Sequence, residues 1–388
     1  MANTFKFGNG NWAVKDGYAL AYNDENNNFK PLPFDFTRAS SATTLNRQGL
    51  IETVGSGKPR IDFLDNTSGH LLLEPSRTNN LQRSEEFENS YWINNGVTIT
   101  ANQTISPDGN LTADLLTGVS GGFAVVVFST WSSTNKVASC FAKKGSTNLF
   151  KIANVSSGGG GVTFNVESGI ITNTDSGFEG TMEDYGNGWY RCIAIDTLGR
   201  SGTFSLGVTA ASESVYIWGA QLEAGSYATS YIPTEGSSVT RVAETANGAG
   251  NSTVFNDSEG VLFLEAAMLS SNPNNSTFQI DDGTSTHRVR IRFTTTTNQI
   301  NGLLYSGVSG QPNINYTAND VTNQNKVAIR YQVGQIDLFV NGTKVGTSTG
   351  NATPTGFDNL SLGTEGKVKD LKVYNTALTD TELQNLTS

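Results

Sequence analysis

Four carboxylates in the last third of the chain are the residues best suited to acid–base chemistry on a sugar: Glu265, Asp281, Asp282 and Asp337. A glycosidase needs two carboxyl groups that face each other across a cleft, and the spacing of these four pairs no two of them. No strand carries the alternating Gln/His or Arg/Glu set with which a lyase would neutralise a uronate and abstract its proton. The sequence therefore predicts that the protein is not an enzyme, and a polysaccharide lyase or glycosidase remains the alternative.

Other groups that could carry chemistry are few. His70 and His287 lie near turns and have no Cys, His or carboxylate at ligand spacing, so neither indicates a zinc site. The glycine-rich run 156–161 has no following lysine and helix, so it does not indicate a phosphate-binding loop. Cys140 and Cys192 lie in strand-like runs and are expected to be free buried thiols. No cofactor is predicted.

Exposed aromatic rings would be the sugar-binding groups, because they stack on the apolar faces of pyranose rings. Trp131 in STWSSTN is the first candidate, since it lies among small polar residues in a loop where no core needs it. The further candidates are Tyr91 and Trp92 in NSYWIN, and Tyr227 and Tyr231 in SYATSY.

Arginine recurs in polar segments near the N-terminus. Arg38 lies in FDFTRASSAT and Arg77 in EPSRTN. A guanidinium binds several carbonyl oxygens or a carboxylate at once, so we expect Arg38 or Arg77 to lie near Glu74 or Asp35. Such a contact would fix the N-terminal leader (residues 1–80) to the domain that follows it. The alternative is an arginine that binds an acidic sugar.

The candidate residues named above are expected to be positioned by β-strands. Only 15% of residues are charged and 42 are glycine, and short alternating runs separated by turn signals predict an all-β chain of tandem antiparallel sandwiches of the jelly-roll type. Trp189 and Trp218 lie in strand-like runs and are expected in the core. Asn341-Gly342 predicts a type I′ hairpin turn. The spacing of Thr379 and Glu382 predicts a capping box that opens one short C-terminal helix.

The chain is expected to divide into five segments. They are an extended arm (1–33), a β wrap packed on the next domain (34–80), a jelly roll (81–236), a linker (237–258) and a last sandwich (259–388).

The charge of the chain bears on its partners. The net charge is −10 and no Lys/Arg cluster could neutralise a row of phosphates, so nucleic acid and anionic membranes are not expected partners. No apolar stretch is long enough for a membrane span, and the N-terminus lacks the pattern of a secretory signal. We therefore expect the protein to fold in the cytoplasm.

Several motifs resemble those of tailed-bacteriophage virion proteins and their prophage relatives. The leader carries FDFTRASSAT, GLIETV, PRIDF and LLLEPSRTN, and the next segment carries SPDG, GWYRC and IWGAQLEAGSYATSYIPT. The resemblance covers roughly residues 1–245. Residues 81–236 are also similar to carbohydrate-binding jelly rolls. Residues 259–388 resemble laminin-G-like, concanavalin-type sandwiches through VAIRYQVGQIDLFVNGTKVG and LKVYNTALTDTELQNL.

This resemblance implies a head or tail fibre, or a decoration protein, of a virion assembled in the host cytoplasm. The arm would bind other virion proteins, the sandwiches would bind a host surface polysaccharide or glycan, and the assembly would be a homotrimer. The alternatives are a decoration protein that binds nothing and a polysaccharide depolymerase. Calcium is common in both sandwich types, and Asp108, Asp281 and Asp282 are the candidate ligands. The pattern itself favours turns formed by Asp-Gly pairs.

Overall fold

The computed structural model describes residues 4–15, 17–20, 22–23, 28–29, 34–119, 125–129, 135–154, 159–200, 202–284, 286–307 and 309–388. These residues form antiparallel strands and one short helix at the C-terminal end, which confirms the predicted all-β class. Among them no helix is long and apolar enough to cross a membrane.

The strands up to residue 80 are short. They are β1 (Phe5–Gly8), β2 (Val14–Lys15), β3 (Tyr18–Ala19), β4 (Tyr22–Asn23), β5 (Asn28–Phe29), β6 (Phe34–Thr37), β7 (Ala42–Leu45), β8 (Ile51–Val54), β9 (Arg60–Asp62), β10 (His70–Leu73) and β11 (Arg77–Asn79).

The middle of the chain has longer strands. They are β12 (Ile93–Asn94), β13 (Val97–Thr104), β14 (Ala113–Gly118), β15 (Val125–Ser129), β16 (Lys136–Lys144), β17 (Leu149–Asn154), β18 (Gly160–Asn165), β19 (Ile170–Thr174), β20 (Phe178–Asp184), β21 (Trp189–Asp196), β22 (Gly202–Gly207), β23 (Ser214–Ala224), β24 (Val239–Arg241) and β25 (Thr245–Asn247).

The last part of the chain ends in the helix. Its elements are β26 (Glu259–Ala267), β27 (Ser276–Asp281), β28 (His287–Phe293), β29 (Gln299–Ser306), β30 (Asn313–Thr317), β31 (Asn325–Gln332), β32 (Gln335–Val340), β33 (Thr343–Thr349), β34 (Asn359–Ser361), β35 (Gly366–Tyr374) and α1 (Asp380–Thr387).

The middle strands form a sandwich of two six-stranded sheets. One sheet has the order β12-β15-β22-β17-β18-β19 and the other the order β13-β14-β23-β16-β21-β20. Apolar side chains from both sheets fill the space between them, among them Phe150, Phe164 and Leu206. Trp189 and Trp218 are buried, as predicted.

The two cysteines lie opposite each other in neighbouring strands of this sandwich. Cys140 of β16 faces Cys192 of β21 across the ladder, and both are free and buried, as expected. Burial raises the pKa of both thiols, so neither is a reactive nucleophile at neutral pH.

The C-terminal sandwich packs a five-stranded sheet, β30-β29-β28-β27-β34, against a larger sheet built on β33-β32-β31-β26-β35. In β28 the alternation is complete, because Val289, Ile291 and Phe293 point into the core and the residues between them point outward. Period-2 alternation is what a strand with one buried face requires.

Two local predictions for this domain are confirmed. Asn341 and Gly342 have φ angles of 46° and 79° in the hairpin between β32 and β33, as a type I′ turn requires. The side chain of Thr379 accepts a hydrogen bond from the Glu382 backbone N–H, and the Glu382 side chain bonds the Thr379 backbone in return, which is a capping box.

The segment predicted to be an extended arm (1–33) packs on the last sandwich at its start. β1 pairs with β35 over four residues, and Phe5 and Phe7 are buried in the core of the C-terminal sandwich. Two aromatic residues spaced by two in FKF place both rings on one face of a strand, and the edge of β35 supplies the partner that such a strand needs.

The β wrap contacts both sandwiches. Leu45 and Leu64 pack with Trp189 and Trp218 of the middle sandwich. By contrast, β10 pairs with the same edge of β35 that β1 uses, and Leu71 and Leu73 enter the C-terminal core. The residues before the middle sandwich therefore connect it to the last one.

Candidate functional site

Two of the predicted sugar-stacking residues are core residues. Trp92 and Tyr231 are each only 3% exposed. The Trp92 ring lies 5.0 Å from Phe87 and its Nε1 donates to the Arg83 carbonyl at 3.0 Å. The Tyr231 ring lies 4.8 Å from Trp218. The prediction was wrong for both, because Trp92 packs between the two sheets and Tyr231 packs in a second apolar cluster with Trp218 and Leu45 of the leader.

The other predicted aromatic residues do not form a shared surface. Tyr91 is half-buried with its ring 5.7 Å from Trp92. The Tyr227 hydroxyl donates to Glu365 Oε2 at 2.5 Å, and the Arg77 guanidinium lies over the Tyr227 ring. Tyr227 therefore ties the middle sandwich to the last one. Trp131 lies outside the described residues.

The predicted arginines belong to a buried cluster, but with other partners. Arg38 Nη1 lies 2.7 Å from Glu244 Oε1, and not beside Glu74 or Asp35. Arg77 Nε lies 3.8 Å from Glu223 Oε2. Glu244 lies 206 residues beyond Arg38 in the chain, so local sequence could not reveal the pair.

Sequence reasoning missed three members of this cluster, Arg60, Arg241 and Glu244. Arg60 binds Glu244 through both Nε (2.8 Å) and Nη2 (2.6 Å), and Arg60 Nη2 lies 2.8 Å from Glu74 Oε2. Arg241 Nη1 lies 2.9 Å from the same Glu74 oxygen. All three are less than 2% exposed. Arg60 lies in the motif PRIDF that carries the resemblance, whereas Arg241 and Glu244 lie in the segment 237–258 that was predicted to be a linker.

Two arginines keep Glu74 of this cluster ionised. Burial alone would raise the pKa of Glu74, but Arg241 and Arg60 outweigh that effect and hold it well below its usual range. Glu74 and Glu244 are buried and bound to protein donors, which makes the cluster a structural element.

The candidate calcium ligands are bound within turns. Asp108 accepts hydrogen bonds from Ser106 Oγ and the Asn110 backbone N–H. Asp282 accepts from the backbone and hydroxyl of Thr284. Asp281 accepts from Gly283 and from two side-chain amides. In the described part of the chain, no group of three or more His, Cys, Asp or Glu residues could hold a metal. These residues therefore do not fit a calcium ion.

The carboxylates considered for catalysis are similarly occupied. Asp337 Oδ2 lies 2.7 Å from Arg330 Nη2, and its Oδ1 lies 2.9 Å from Lys344 Nζ. Glu265 Oε1 lies 2.7 Å from Lys369 Nζ. Asp281 belongs to the other sheet of the sandwich. The structure therefore brings no two of them together as an acid–base pair.

Against the expectation that the chain has no Lys/Arg cluster, a row of three arginines crosses the outward face of the five-stranded sheet. Arg288, Arg290 and Arg292 occupy alternate positions of the central strand β28 and are half-buried. Their cross-strand neighbours on β29 are Tyr305, Leu303 and Asn301, in the same order. Directly opposed residues of an antiparallel pair share one face, so these side chains form one continuous surface, here called the arginine face.

Amide side chains surround the arginines. Asn301 Nδ2 donates to Asn315 Oδ1 at 2.9 Å and to Asn313 Oδ1 at 2.5 Å, and thereby orients both residues on β30. Gln279 of β27 is the cross-strand neighbour of Arg290 on the other side. The Arg288 guanidinium lies 4.9 Å from the centre of the Tyr305 ring. The arginine face thus offers guanidinium and amide donors, amide acceptors and one aromatic ring.

The three arginines have no carboxylate partner among the described residues, and the one hydrogen bond that their side chains make there runs from Arg290 Nη2 to Asn301 Oδ1 at 3.5 Å. The Nε atoms of Arg288, Arg290 and Arg292 are buried without a hydrogen-bond partner, and no ion pair joins them to another described residue. Burial and the two neighbouring arginines lower the pKa of Arg290 to about 10, which leaves it charged at neutral pH. Asp281 is the cross-strand neighbour of Arg288, but its oxygens bind Gln279, Gly283 and Asn359.

A separate polar cavity of about 200 Å³ lies where the leader and the two sandwiches meet. Glu183 and Arg191 line it from the middle sandwich and Lys367 from the last one, and Glu74 reaches it from the leader. Arg191 Nη1 lies 3.8 Å from Glu183 Oε2. Burial is the main reason that the pKa of Glu183 is raised.

Comparison with known proteins supports part of this description. Residues 264–384 match the family model Laminin_G_3, described as the concanavalin A-like lectin/glucanases superfamily. No curated protein matches the chain.

Three solved structures illustrate the likeness to known folds. The CBM40 domain of the Ruminococcus gnavus IT-sialidase bound to α2,3-sialyllactose is 20% identical, with 37% of this chain and 94% of that chain covered and a TM-score of 0.31. Domain 4 of the GH43 arabinanase AbnA from Geobacillus stearothermophilus, in complex with arabinotriose, is 12% identical, with 38% and 73% covered and a TM-score of 0.31. The native heptameric SAP-like pentraxin of Limulus polyphemus is 12% identical, with 34% and 70% covered and a TM-score of 0.27. Residues 264–384 therefore form a laminin-G-like sandwich of the concanavalin type.

Proposed function

We propose that the protein is a non-catalytic glycan-binding protein and that its C-terminal sandwich binds the glycan on the arginine face. The observation that carries this proposal is the set of Arg288, Arg290 and Arg292, which have no carboxylate partner among the described residues, beside oriented amides and Tyr305. Sugar hydroxyls need many hydrogen-bonding groups of both kinds, and an aromatic ring contacts the apolar face of a pyranose.

The arrangement of acids supports binding without hydrolysis. Asp281 is the carboxylate among the described residues at the edge of the arginine face, and three protein donors already bind it. A general acid or nucleophile would need a second carboxylate across the sugar. The proposal therefore includes no catalytic residue.

We further propose that the chain is a head or tail fibre, or a decoration protein, of a tailed-bacteriophage virion. The support for this is the resemblance of roughly residues 1–245, with FDFTRASSAT, EPSRTN and IWGAQLEAGSYATSYIPT. In this proposal the segment before residue 34 contacts other virion proteins and the assembly is a homotrimer.

The test is to incubate the purified protein with host cells and with their extracted surface polysaccharide, and to record both bound protein and newly released sugar ends. We expect binding without release. Release of reducing or unsaturated ends would identify a depolymerase, and no binding would favour a decoration protein without a ligand.

Tyr305→Ala tests the place of binding. We expect this change to lower the amount of bound protein, since the ring on the arginine face is lost. Tyr18→Ala removes an exposed tyrosine from the leader and is the matched control, which should bind as the unchanged protein does. Equal binding by both variants would contradict the assignment to this face.

A further inference from the structure

We infer that the ligand of the arginine face is an acidic, linear oligosaccharide that lies along β28 and carries at least two carboxylate or sulfate groups. This inference rests on the proposed function and adds the chemical class of the glycan. Its basis is the row of Arg288, Arg290 and Arg292, whose spacing and lack of carboxylate partners among the described residues both point to a ligand with repeated negative charge.

The spacing sets the shape of the ligand. Alternate residues of a strand are about 6.7 Å apart, so Arg288 and Arg292 are separated by about 13 Å along β28. A single acidic sugar does not extend over that distance, whereas a short oligosaccharide does. The cross-strand neighbours change along the row from Tyr305 to Asn301, which gives each sugar unit a different set of contacts.

The lack of carboxylate partners among the described residues sets the charge of the ligand. Elsewhere in this chain, buried or half-buried arginines lie close to carboxylates, as Arg38 does to Glu244 and Arg330 to Asp337, each at 2.7 Å. The protein has 35 acidic residues against 25 basic ones, so carboxylate partners are plentiful. Three adjacent arginines without any of them repel one another, and an anionic ligand would relieve that repulsion.

The surroundings favour a sugar over a nucleic acid. A single-stranded nucleic acid is bound by several aromatic rings that stack on successive bases, within a basic groove. Among the described residues the arginine face has a single aromatic ring, that of Tyr305. The amides of Asn313, Asn315 and Gln279 instead suit the hydroxyl groups of a sugar.

The experiment measures the affinity of the full chain for four probes at 50 mM and 500 mM NaCl. The probes are a hexagalacturonate, its carboxyl-reduced neutral counterpart, a heparin hexasaccharide and a single-stranded DNA. We expect at least one of the two acidic sugars to bind at least tenfold more tightly than the neutral one, with a marked loss at high salt. Which acidic sugar binds distinguishes carboxylate from sulfate.

Arg290→Gln places the effect on the face. We expect it to weaken binding of the acidic sugar at least tenfold while the melting temperature stays within error, because its side chain points away from the core. Arg47→Gln removes one exposed positive charge from the leader and should bind as the unchanged protein does. Equal affinities of the two variants would overturn the inference.

The remaining outcomes separate this inference from the proposed function. Binding of the host polysaccharide together with equal affinity for the acidic and neutral sugars overturns the inference and leaves the proposed function standing. Failure to bind either the host polysaccharide or any sugar probe overturns both. Tighter binding of DNA than of either acidic sugar assigns the face to a nucleic acid and overturns the inference.

Discussion

At the scale of single residues, charge is buried where it is paired in closed clusters and is left unpaired at one surface. Glu244 accepts hydrogen bonds from Arg38 and Arg60, while Arg290 has no carboxylate partner among the described residues. A buried ion costs several kcal/mol in desolvation unless a partner compensates it. The closed cluster therefore serves the fold, and the open row of arginines is the site that we propose for the ligand.

Glu244→Gln tests the closed cluster. The change removes the charge that compensates Arg38 and Arg60, and breaking such a buried pair costs about 3–5 kcal/mol. The free energy of unfolding in urea should fall by that amount. Glu167→Gln, which breaks an exposed pair with Lys144, should leave the urea midpoint unchanged. An equal effect of the two substitutions would show that the cluster does not stabilise the fold.

Asp337→Asn tests a pH-dependent contact in the last sandwich. Burial opposes ionisation of Asp337, but hydrogen bonds from Thr347, Lys344 and Arg330 lower its pKa from 3.8 to about 2. The carboxylate therefore stabilises the fold above pH 4, and this stabilisation is lost as the pH falls from about 4 to about 2. Urea unfolding at pH 2, 4 and 7 should show a smaller acid-induced loss for the variant. An unchanged loss would contradict the pairing.

The sequence indicated which residue types make structural contacts, but it did not indicate which residues they contact. Arg38 was recognised as a locking residue, but its partner Glu244 lies far along the chain. Trp92 and Tyr231 were predicted to be exposed because NSYWIN and SYATSY do not alternate like strands. Their burial comes from the apolar clusters in which they pack, which only the tertiary structure specifies.

At the scale of elements, alternation predicted the strands well and local turn chemistry predicted their connections. The Asn341-Gly342 turn and the Thr379 cap are where the sequence places them. The alternation in HRVRIRF was equally visible, yet it does not say which residues lie beside the arginines. The sheet order of β28 next to β29 supplies Tyr305 and Asn301, and long-range pairing cannot be derived from a period of two.

Phe7→Ala tests the pairing of β1 with the last sandwich. Phe7 is 1% exposed in the C-terminal core, and removing a buried phenyl ring costs about 3–5 kcal/mol. The melting temperature should fall clearly. Val14→Ala, at a position 43% exposed in the same leader, should have little effect. A leader that does not pack on the sandwich would show no difference between the two variants.

At the scale of the whole molecule, the leader joins two sandwiches into one structure. Leu64 packs on the middle sandwich, whereas Phe7 and Leu71 enter the core of the last one. Tyr227 adds a direct contact through Glu365. The arginine face belongs to the five-stranded sheet of the last sandwich, whereas β1 and β10 pair with the larger sheet.

The most direct measurement of the central claim is protection of arginines from phenylglyoxal by bound polysaccharide, read by mass spectrometry. With saturating acidic polysaccharide, Arg288, Arg290 and Arg292 should lose most of their labelling, while Arg47 should be labelled as in the free protein. Unchanged labelling of all three residues in the presence of bound polysaccharide would contradict the assignment of the glycan site to the arginine face.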